Sequence, residues 1–220
     1  ACKLTELPNN IKHLSRLQSL FVNYCKDLQS LPELPPSIKK LHACNCTSLE
    51  SLQLISHIES PLLFGSNVGL LPGSIKHLSN LEYIYLSNCR RLRSLPELPP
   101  FIKHVDANGC ISLEIVSLSI TSAPKLRFLF LKDCLKLENI SLSCVMESAY
   151  FSLKQSVYTK RLGAVCFPGR NVPKWFSFNQ GIKASNYITI ELPATTNNLV
   201  GFIFCSVLSH HPPGDLQCQL

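Results

Sequence analysis

Residues 81–100 read LEYIYLSNCRRLRSLPELPP and contain one complete copy of the pattern that determines the fold. Leu81, Ile84 and Leu86 are followed by Cys89, which defines a template of apolar residues at i, i+3 and i+5 with Cys or Asn at i+8. The downstream half continues with leucines at three-residue spacing and ends in LPELPP, a hexapeptide that occurs twice in the chain. Such self-similarity indicates a repeat protein.

Four other segments fit this template, and a degenerate copy lies between the second and third well-formed ones. In the degenerate copy Leu62 and Phe64 take the i+3 and i+5 positions, and Glu59 stands where an apolar residue is expected. The six i+8 residues are spaced by 21, 21, 22, 21 and 24 residues: Cys25, Cys46, Asn67, Cys89, Cys110 and Cys134. Leucine-rich repeats run roughly 20 to 29 residues. We therefore predict an α/β-type leucine-rich-repeat solenoid with six short parallel strands on a concave face and an irregular convex side.

The i+8 cysteines are predicted to lie inside the solenoid as reduced thiols. Because side chains alternate along a strand, residues i+3 and i+5 point inward while i+4 points outward. The chain turns after the strand, where a small side chain that bonds to nearby backbone groups fits best; a thiol does so weakly and packs as a small hydrophobe. In the pair Cys44 and Cys46 only Cys46 points inward, which disfavours a shared metal ion.

Prolines determine the character of the return half of each copy. Pro32, Pro35 and Pro36, with the matching Pro96, Pro99 and Pro100 of the fourth copy, exclude a regular helix and favour extended or turn backbone. The segments NIKHL at 10–14 and SIKHL at 74–78 each suit a single helical turn. We therefore expect an irregular or polyproline-like convex side.

The pattern stops after the sixth copy, which divides the chain into three predicted regions. Residues 1–140 are leucine-rich repeats, 141–163 form a capping or linking helix, and 164–220 form a partial β-sandwich. The helix is predicted from an apolar stripe at helical spacing. The β character is predicted from alternation at 188–192 and from the apolar run LVGFIFCSVL at 199–208.

Composition limits the function classes. The net charge is +7 from 21 basic and 14 acidic residues, and the densest basic patch, Arg90 to Arg93, is short. Nucleic-acid binding calls for a contiguous basic stripe with interleaved aromatic residues. No apolar run reaches the roughly 20 residues of a membrane span, and phosphate-loop, nucleophile-elbow and zinc-helix motifs do not occur. We expect a binding surface without catalytic residues, cofactor, metal, nucleic-acid partner or membrane contact.

The outward strand positions i+2 and i+4 form two columns across the predicted concave face. The candidate protein-binding residues in these columns are Phe21, His42, Tyr83, Tyr85, His104, Asp106, Phe128 and Phe130. Strand residues that face water need not be aromatic, and exposed apolar clusters with aromatic anchors mark interaction surfaces. The alternative is that this surface packs against the protein's own upstream region or its folded-back tail.

Two parts of the chain together resemble plant TIR–NB–LRR disease-resistance proteins. The repeats carry C-x-x-L-x-x-L-P-E-L-P-P, and FPGRNVPKWF at 167–176 is followed by ITIELP at 188–193 and GFIFC at 201–205. In that family a C-terminal jelly-roll or immunoglobulin-like domain follows the repeats, and its opening motif is similar to Pro168, Gly169, Val172, Pro173, Trp175 and Phe176. The resemblance covers residues 1–208 and implies that region 164–220 is part of this domain in a fragment of a longer protein.

The resemblance implies a protein–protein recognition module of an intracellular immune receptor, in the cytoplasm and also the nucleus, that senses pathogen effectors and contributes to autoinhibition. The implied partners are a pathogen effector or guarded host protein, and the upstream domains of the same receptor. The family's NAD-cleaving TIR domain and ADP/ATP-binding domain would lie upstream, so this chain itself would not be an enzyme. The alternative is the substrate-binding array of a ubiquitin-ligase adaptor, which the β-rich tail disfavours.

Overall fold

The computed structural model describes most of the repeat region of the chain. The described residues are 2–50, 52, 57–117, 123–137 and 164–166. The chain divides into two compact units, Ala1–Pro168 and Gly169–Leu220, and all described residues belong to the first.

Short parallel strands make up the described sheet structure. They are β1 (Ser19–Phe21), β2 (Lys40–His42), β3 (Ser60–Leu62), β4 (Tyr83–Tyr85), β5 (Ser94–Leu95), β6 (His104–Asp106), β7 (Ile115–Val116), β8 (Phe128–Phe130) and β9 (Ala164–Cys166). The larger sheet has the order β1, β2, β3, β4, β6, β8, β9, and β5 pairs with β7 in a smaller one. Neighbouring strands pair in parallel, for example Leu20 with Leu41 and Ile84 with Val105. This sequential parallel order confirms the predicted leucine-rich-repeat solenoid.

Each turn of the solenoid buries its i, i+3 and i+5 side chains in one continuous core. In the fourth copy Leu81, Ile84 and Leu86 have no exposed surface. Burying a side chain of this size contributes about 1.5–3 kcal/mol, whereas an isolated pair of short strands is marginal in water. The copies are therefore stable because they stack on one another.

The i+8 thiols form a hydrogen-bonded ladder inside the core, as predicted. The Sγ–H of Cys110 donates to the carbonyl oxygen of Leu86 at 3.2 Å, and that of Cys134 donates to Ala107 at 3.2 Å. In each case the acceptor is the i+5 carbonyl of the preceding copy. The Leu86 carbonyl also accepts the backbone N–H of Cys89 at 3.0 Å. Burial raises the pKa of the Cys89 thiol to about 12, so the thiol stays protonated and able to donate.

The third copy is shifted by one residue from the predicted register. The structure places Ile58, Pro61, Leu63 and Ser66 at i, i+3, i+5 and i+8, instead of Glu59, Leu62, Phe64 and Asn67. Pro61 pairs with Leu41, and the Ser66 hydroxyl donates to the Ala43 carbonyl, as the thiols do in other copies. Glu59 moves to the outward i+1 position, where its carboxylate lies 3.7 Å from Lys39 Nζ. The shift keeps a charge out of the core, where burial would be costly.

The backbone at i+7 explains the shifted register. All six i+7 residues have a positive φ between 56° and 68°: Tyr24, Asn45, Gly65, Asn88, Gly109 and Asp133. Glycine, Asn and Asp adopt this left-handed conformation most readily. Gly65 therefore aligns with the turn only when the third copy begins at residue 58, one position before the predicted start.

The described parts of the convex side include two short 3-10 helices and two short strands. These helices span Asn9–His13 and Gly73–His77, one residue before the NIKHL and SIKHL segments predicted to turn. The parallel pair β5 and β7 in the return halves was not predicted. Exposed ion pairs join successive copies: Lys12 with Glu33 at 3.1 Å, Lys76 with Glu97 at 3.4 Å and Lys136 with Glu114 at 3.2 Å. Exposed pairs of this kind contribute about 0–1 kcal/mol each.

A seventh strand extends the larger sheet beyond the six that the repeats predict. Strand β9, which the sequence placed at the start of region 164–220, pairs in parallel with β8 through Leu129 and Val165. The predicted helix at 141–163 and the strands of the β-sandwich lie outside the described residues. The division of the chain after residue 137 into a helix and a C-terminal domain therefore stays a prediction.

The cysteines in the described part of residues 2–137 are free: Cys2, Cys25, Cys44, Cys46, Cys89, Cys110 and Cys134. Adjacent strands lie about 4.7–4.9 Å apart, within the roughly 4.4–6.8 Å Cα separation of disulfides, so distance alone does not prevent bonding. We expect mass spectrometry of the folded chain, alkylated at lysis and kept non-reduced, to show neither a Cys25–Cys46 nor a Cys89–Cys110 link, because stacked thiols point to backbone carbonyls. Either linked peptide would contradict this expectation.

Candidate functional site

The predicted binding residues all lie on the outward face of the larger sheet, which we call the strand face. The i+2 column contains Tyr83, His104 and Phe128, and the i+4 column contains Phe21, His42, Tyr85, Asp106 and Phe130. Their exposure varies: Phe21 is 60% exposed and Tyr83 is 37% exposed, while Tyr85 and His104 are partly buried. The columns therefore form as the strand period predicts, with every site residue accessible from one side.

Five of these residues form an aromatic cluster around one histidine. The aromatic cluster consists of Tyr83, Tyr85, His104, Phe128 and Phe130. The ring centroid of His104 lies 5.0 Å from that of Tyr85, 5.4 Å from Phe130, 5.5 Å from Phe128 and 6.5 Å from Tyr83. Rings at about 4.5–7 Å attract one another beyond the effect of burial. The rings therefore hold each other in place and form a partly exposed patch across three strands.

Phe21 and His42 form a separate aromatic pair. Their ring centroids are 4.4 Å apart in an edge-to-face arrangement. Strand β3 lies between this pair and the aromatic cluster, and its outward residues are Ser60 and Leu62. The predicted register, with i at Glu59, places Pro61 and Leu63 at the outward i+2 and i+4 positions; that assignment was wrong by the same one-residue shift, and both residues are buried. The strand face therefore carries two aromatic areas.

Burial keeps the central histidine of the aromatic cluster neutral. Burial lowers the pKa of His104, and the nearby carboxylate of Asp106 only partly opposes this. Asp106 Oδ1 accepts the backbone N–H of Asn108 at 3.1 Å, so this side chain is used within its own turn. Burial and the charge of Lys40 likewise lower the pKa of His42. Both imidazoles therefore pack as neutral rings near pH 7.

A groove of about 680 Å³ borders the aromatic cluster between β3 and β4. Pairing of these strands is limited to Leu62 with Tyr85, because Pro61 has no N–H to donate to the backbone of β4. The groove is lined by Glu59, Ser60, Glu82, Tyr83, Tyr85 and Phe101, with Ser79 and Asn80. Sequence reasoning missed this groove because the predicted register, which was off by one residue, placed Glu59 at a core position. The signal that locates it is Gly65, which sets the correct phase.

Metal binding finds no support in the described part of the chain, where no three His, Cys, Asp or Glu side chains are grouped as ligands would be. The two thiols that the sequence singled out reach different carbonyls: Cys44 donates to Leu62 at 3.6 Å and Cys46 to Val22 at 2.9 Å.

Among the helices of the described residues, none combines the length and apolar composition needed to cross a membrane.

Comparison with known proteins gives relatives among disease resistance proteins of Arabidopsis thaliana. Disease resistance protein RPS4 is 27% identical over 100% of this chain and 19% of its own length. Disease resistance protein RPS4B is 29% identical over 80% of the chain and 16% of its length. The chain thus spans about a fifth or less of these relatives. No protein-family model matches the chain.

Among solved structures, the leucine-rich repeat domain of the type III effector XopL is similar over 61% of this chain and 67% of that one, with 20% identity and a TM-score of 0.38.

Proposed function

We propose that this chain, which is related over its whole length to plant TIR–NB–LRR disease resistance proteins, corresponds to their leucine-rich-repeat region. On this premise, its strand face is the protein-recognition surface of an immune receptor. The relationship confirms the resemblance predicted from the repeat and tail motifs. The surface binds a pathogen effector or a guarded host protein in the cytoplasm or nucleus. The chain acts by binding and not by catalysis, and it also contributes to holding the receptor inactive through its upstream domains.

The single observation that supports this proposal most strongly is the aromatic cluster. The inward residues of the same strands, such as Ile84 and Leu129, are fully buried in the core, while the rings lie on the opposite, outward face. Rings of this kind are enriched among the few residues that dominate protein–protein binding energy. Since His104 and its four neighbours hold one another in place, little conformational freedom remains to be lost when a partner binds.

Replacing Tyr85→Ala and Phe130→Ala together in the receptor that contains this chain is expected to abolish the response to the pathogen strain that normally triggers it. The variant is expected to remain silent at rest, because the change removes binding area without touching the core. Cell death and defence-gene induction measure the response. The matched control is Tyr24→Ala with Phe64→Ala, which removes two exposed rings (59% and 40% exposed) outside the aromatic cluster.

Signalling without any pathogen in the Tyr85→Ala, Phe130→Ala receptor would instead assign the strand face to autoinhibition. Wild-type behaviour at rest and on challenge would refute the strand face as a functional surface. Thermal unfolding of the 220-residue chain with the same changes shows whether the fold is kept.

A further inference from the structure

We propose that the groove between β3 and β4 receives a basic side chain, arginine or lysine, of the protein that binds the strand face. This inference rests on the proposed function, because the groove shares Tyr83 and Tyr85 with the aromatic cluster. It narrows that function by naming the chemistry that the partner must present next to its apolar contact.

Two glutamates occupy equivalent positions on adjacent turns, and both line the groove. Glu59 and Glu82 both occupy the i+1 position, and the N–H of Glu82 donates to the carbonyl of Glu59 at 3.2 Å. Like charges directly opposite one another on neighbouring strands are unfavourable. The lysines that pair with these carboxylates belong to the outer turns: Lys39 lies 3.7 Å from Glu59, and Lys103 lies 2.6 Å from Glu82. A cation placed between the two carboxylates would relieve their repulsion.

The lining of the groove leaves this place open to a partner. Its charged members are Glu59 and Glu82, and no basic side chain is among its lining residues in the described part of the chain. The two glutamates have side chains that are 46% and 39% exposed. Around them, Ser60 and Asn80 offer further oxygen atoms that can accept hydrogen bonds. The charged side chains that line the groove are thus both acidic, in a chain whose net charge is +7.

The rings of the groove suit the same cation. Tyr83 and Tyr85 form one part of its lining, and the ring of Phe101 forms another. A guanidinium or ammonium group within about 6 Å of an aromatic centroid is attracted by the ring, and arginine is the more frequent partner. Phe101 already shows this contact within the chain, since Lys125 Nζ lies 4.3 Å from its ring centroid. Carboxylates and rings together therefore favour a basic group over an acidic or purely apolar one.

The test uses peptides of random sequence, twelve residues long and displayed on phage, selected on the immobilised 220-residue chain. We expect the binding sequences to be enriched in arginine and lysine. One selected peptide is then synthesised with its basic residue as arginine and as citrulline, which is neutral and similar in shape. The citrulline peptide is expected to bind the unaltered chain about tenfold more weakly in a fluorescence-polarisation titration.

The decisive variant is Glu59→Gln with Glu82→Gln, which removes both charges and keeps their size. Because ion pairs this exposed contribute little to stability, the variant is expected to fold. On it, the arginine and citrulline peptides are expected to bind within twofold of each other. The matched control, Glu33→Gln with Glu97→Gln, removes two equivalent charges from exposed ion pairs of the return halves and should preserve the tenfold difference.

The possible results separate this inference from the proposed function. Peptides that lose binding with Tyr85→Ala and Phe130→Ala but not with the glutamine changes would refute the groove and leave the strand face as the binding surface. Peptides without basic enrichment, or a citrulline effect that persists in the double glutamine variant, would also overturn the inference. Selection that yields no binding sequence at all would count against both.

Discussion

Leu86→Ala is expected to lower the free energy of unfolding by about 2–5 kcal/mol, the usual cost of removing a buried leucine side chain and leaving a cavity. Leu86 has no exposed surface and lies at i+5 of the fourth copy, with turns stacked on both sides. Leu135→Ala is the matched control, since the same atoms are lost from a side chain that is 76% exposed. Urea denaturation of the 220-residue chain measures both changes, and we expect the control to shift stability by less than about 0.5 kcal/mol.

The region that Leu86→Ala destabilises tests the solenoid architecture, in addition to the size of the change in unfolding free energy. Since repeats are coupled mainly to their neighbours, hydrogen exchange should increase most in the third, fourth and fifth copies. The amides of Gly65 and Leu86, which bond to the following turn, report on this part of the ladder. Faster exchange spread evenly over the described residues, or no change anywhere, would disagree with nearest-neighbour coupling.

Raising the pH from 8 to 10.5 is expected to destabilise the fold through its buried thiols. Burial raises the pKa of Cys89 from its ordinary value of 9.0 to about 12, and burial also raises the pKa of Cys110. The unfolded thiol thus loses its proton first, so the stabilisation is complete below pH 9 and declines as the pH rises towards 12. At about 1.4 kcal/mol per pH unit, Cys89 alone lowers the free energy of unfolding by about 2 kcal/mol at pH 10.5.

A serine variant isolates the thiols from the lysines and tyrosines that titrate in the same range. Ser66 already takes the i+8 position of the third copy and donates to the Ala43 carbonyl, so a hydroxyl can replace a thiol in the ladder. Cys89→Ser with Cys110→Ser should therefore fold and show a shallower loss of stability with pH in urea denaturation. An unchanged slope would mean that other groups cause the alkaline destabilisation.

Most of the fold could be predicted because the same pattern recurs in several copies. The register error arose in the third copy, which matches the pattern least well. Leu62, Leu63 and Phe64 are three consecutive apolar residues, so the i+5 position is apolar in either of two registers. In the correct register Pro61 stands at i+3 and Ser66 at i+8, and neither is a residue type that the template expects there. The template therefore favoured the wrong register. Backbone conformation decides the matter, because Gly65 fits the left-handed turn that every copy shares.

The seventh strand was missed for a related reason. Leu162, Val165 and Phe167 have the spacing i, i+3 and i+5, but Arg170 stands at i+8, where a small side chain is expected. This segment also follows the sixth copy after an interval longer than one repeat. The segment therefore does not match the full template, yet its strand Ala164–Cys166 pairs with β8, since strand pairing needs the strand residues and not the buried turn residue.

The candidate site could be predicted as two columns of residues but not as an arrangement of contacts. Period two places Tyr85 and Phe130 on the same face, whichever rotamers they adopt. Which rings meet depends on side-chain torsions and on the strands between them. Ser60 and Leu62 separate the Phe21–His42 pair from the aromatic cluster. Pro61 reduces the pairing between β3 and β4, next to which the groove lies. These features depend on single residues in the least regular copy.

The thiol ladder has a consequence for how such a protein can change over evolutionary time. The bonds from the thiols to the i+5 carbonyls join one turn to the next, as Cys110 to Leu86 and Cys134 to Ala107. A gene segment that encodes one turn can therefore be duplicated or deleted by unequal recombination, and the new neighbours find the same donors and acceptors. Each such event lengthens or shortens the row of outward side chains by one position in each column while the interior chemistry stays the same. Recognition can therefore diversify without redesign of the scaffold.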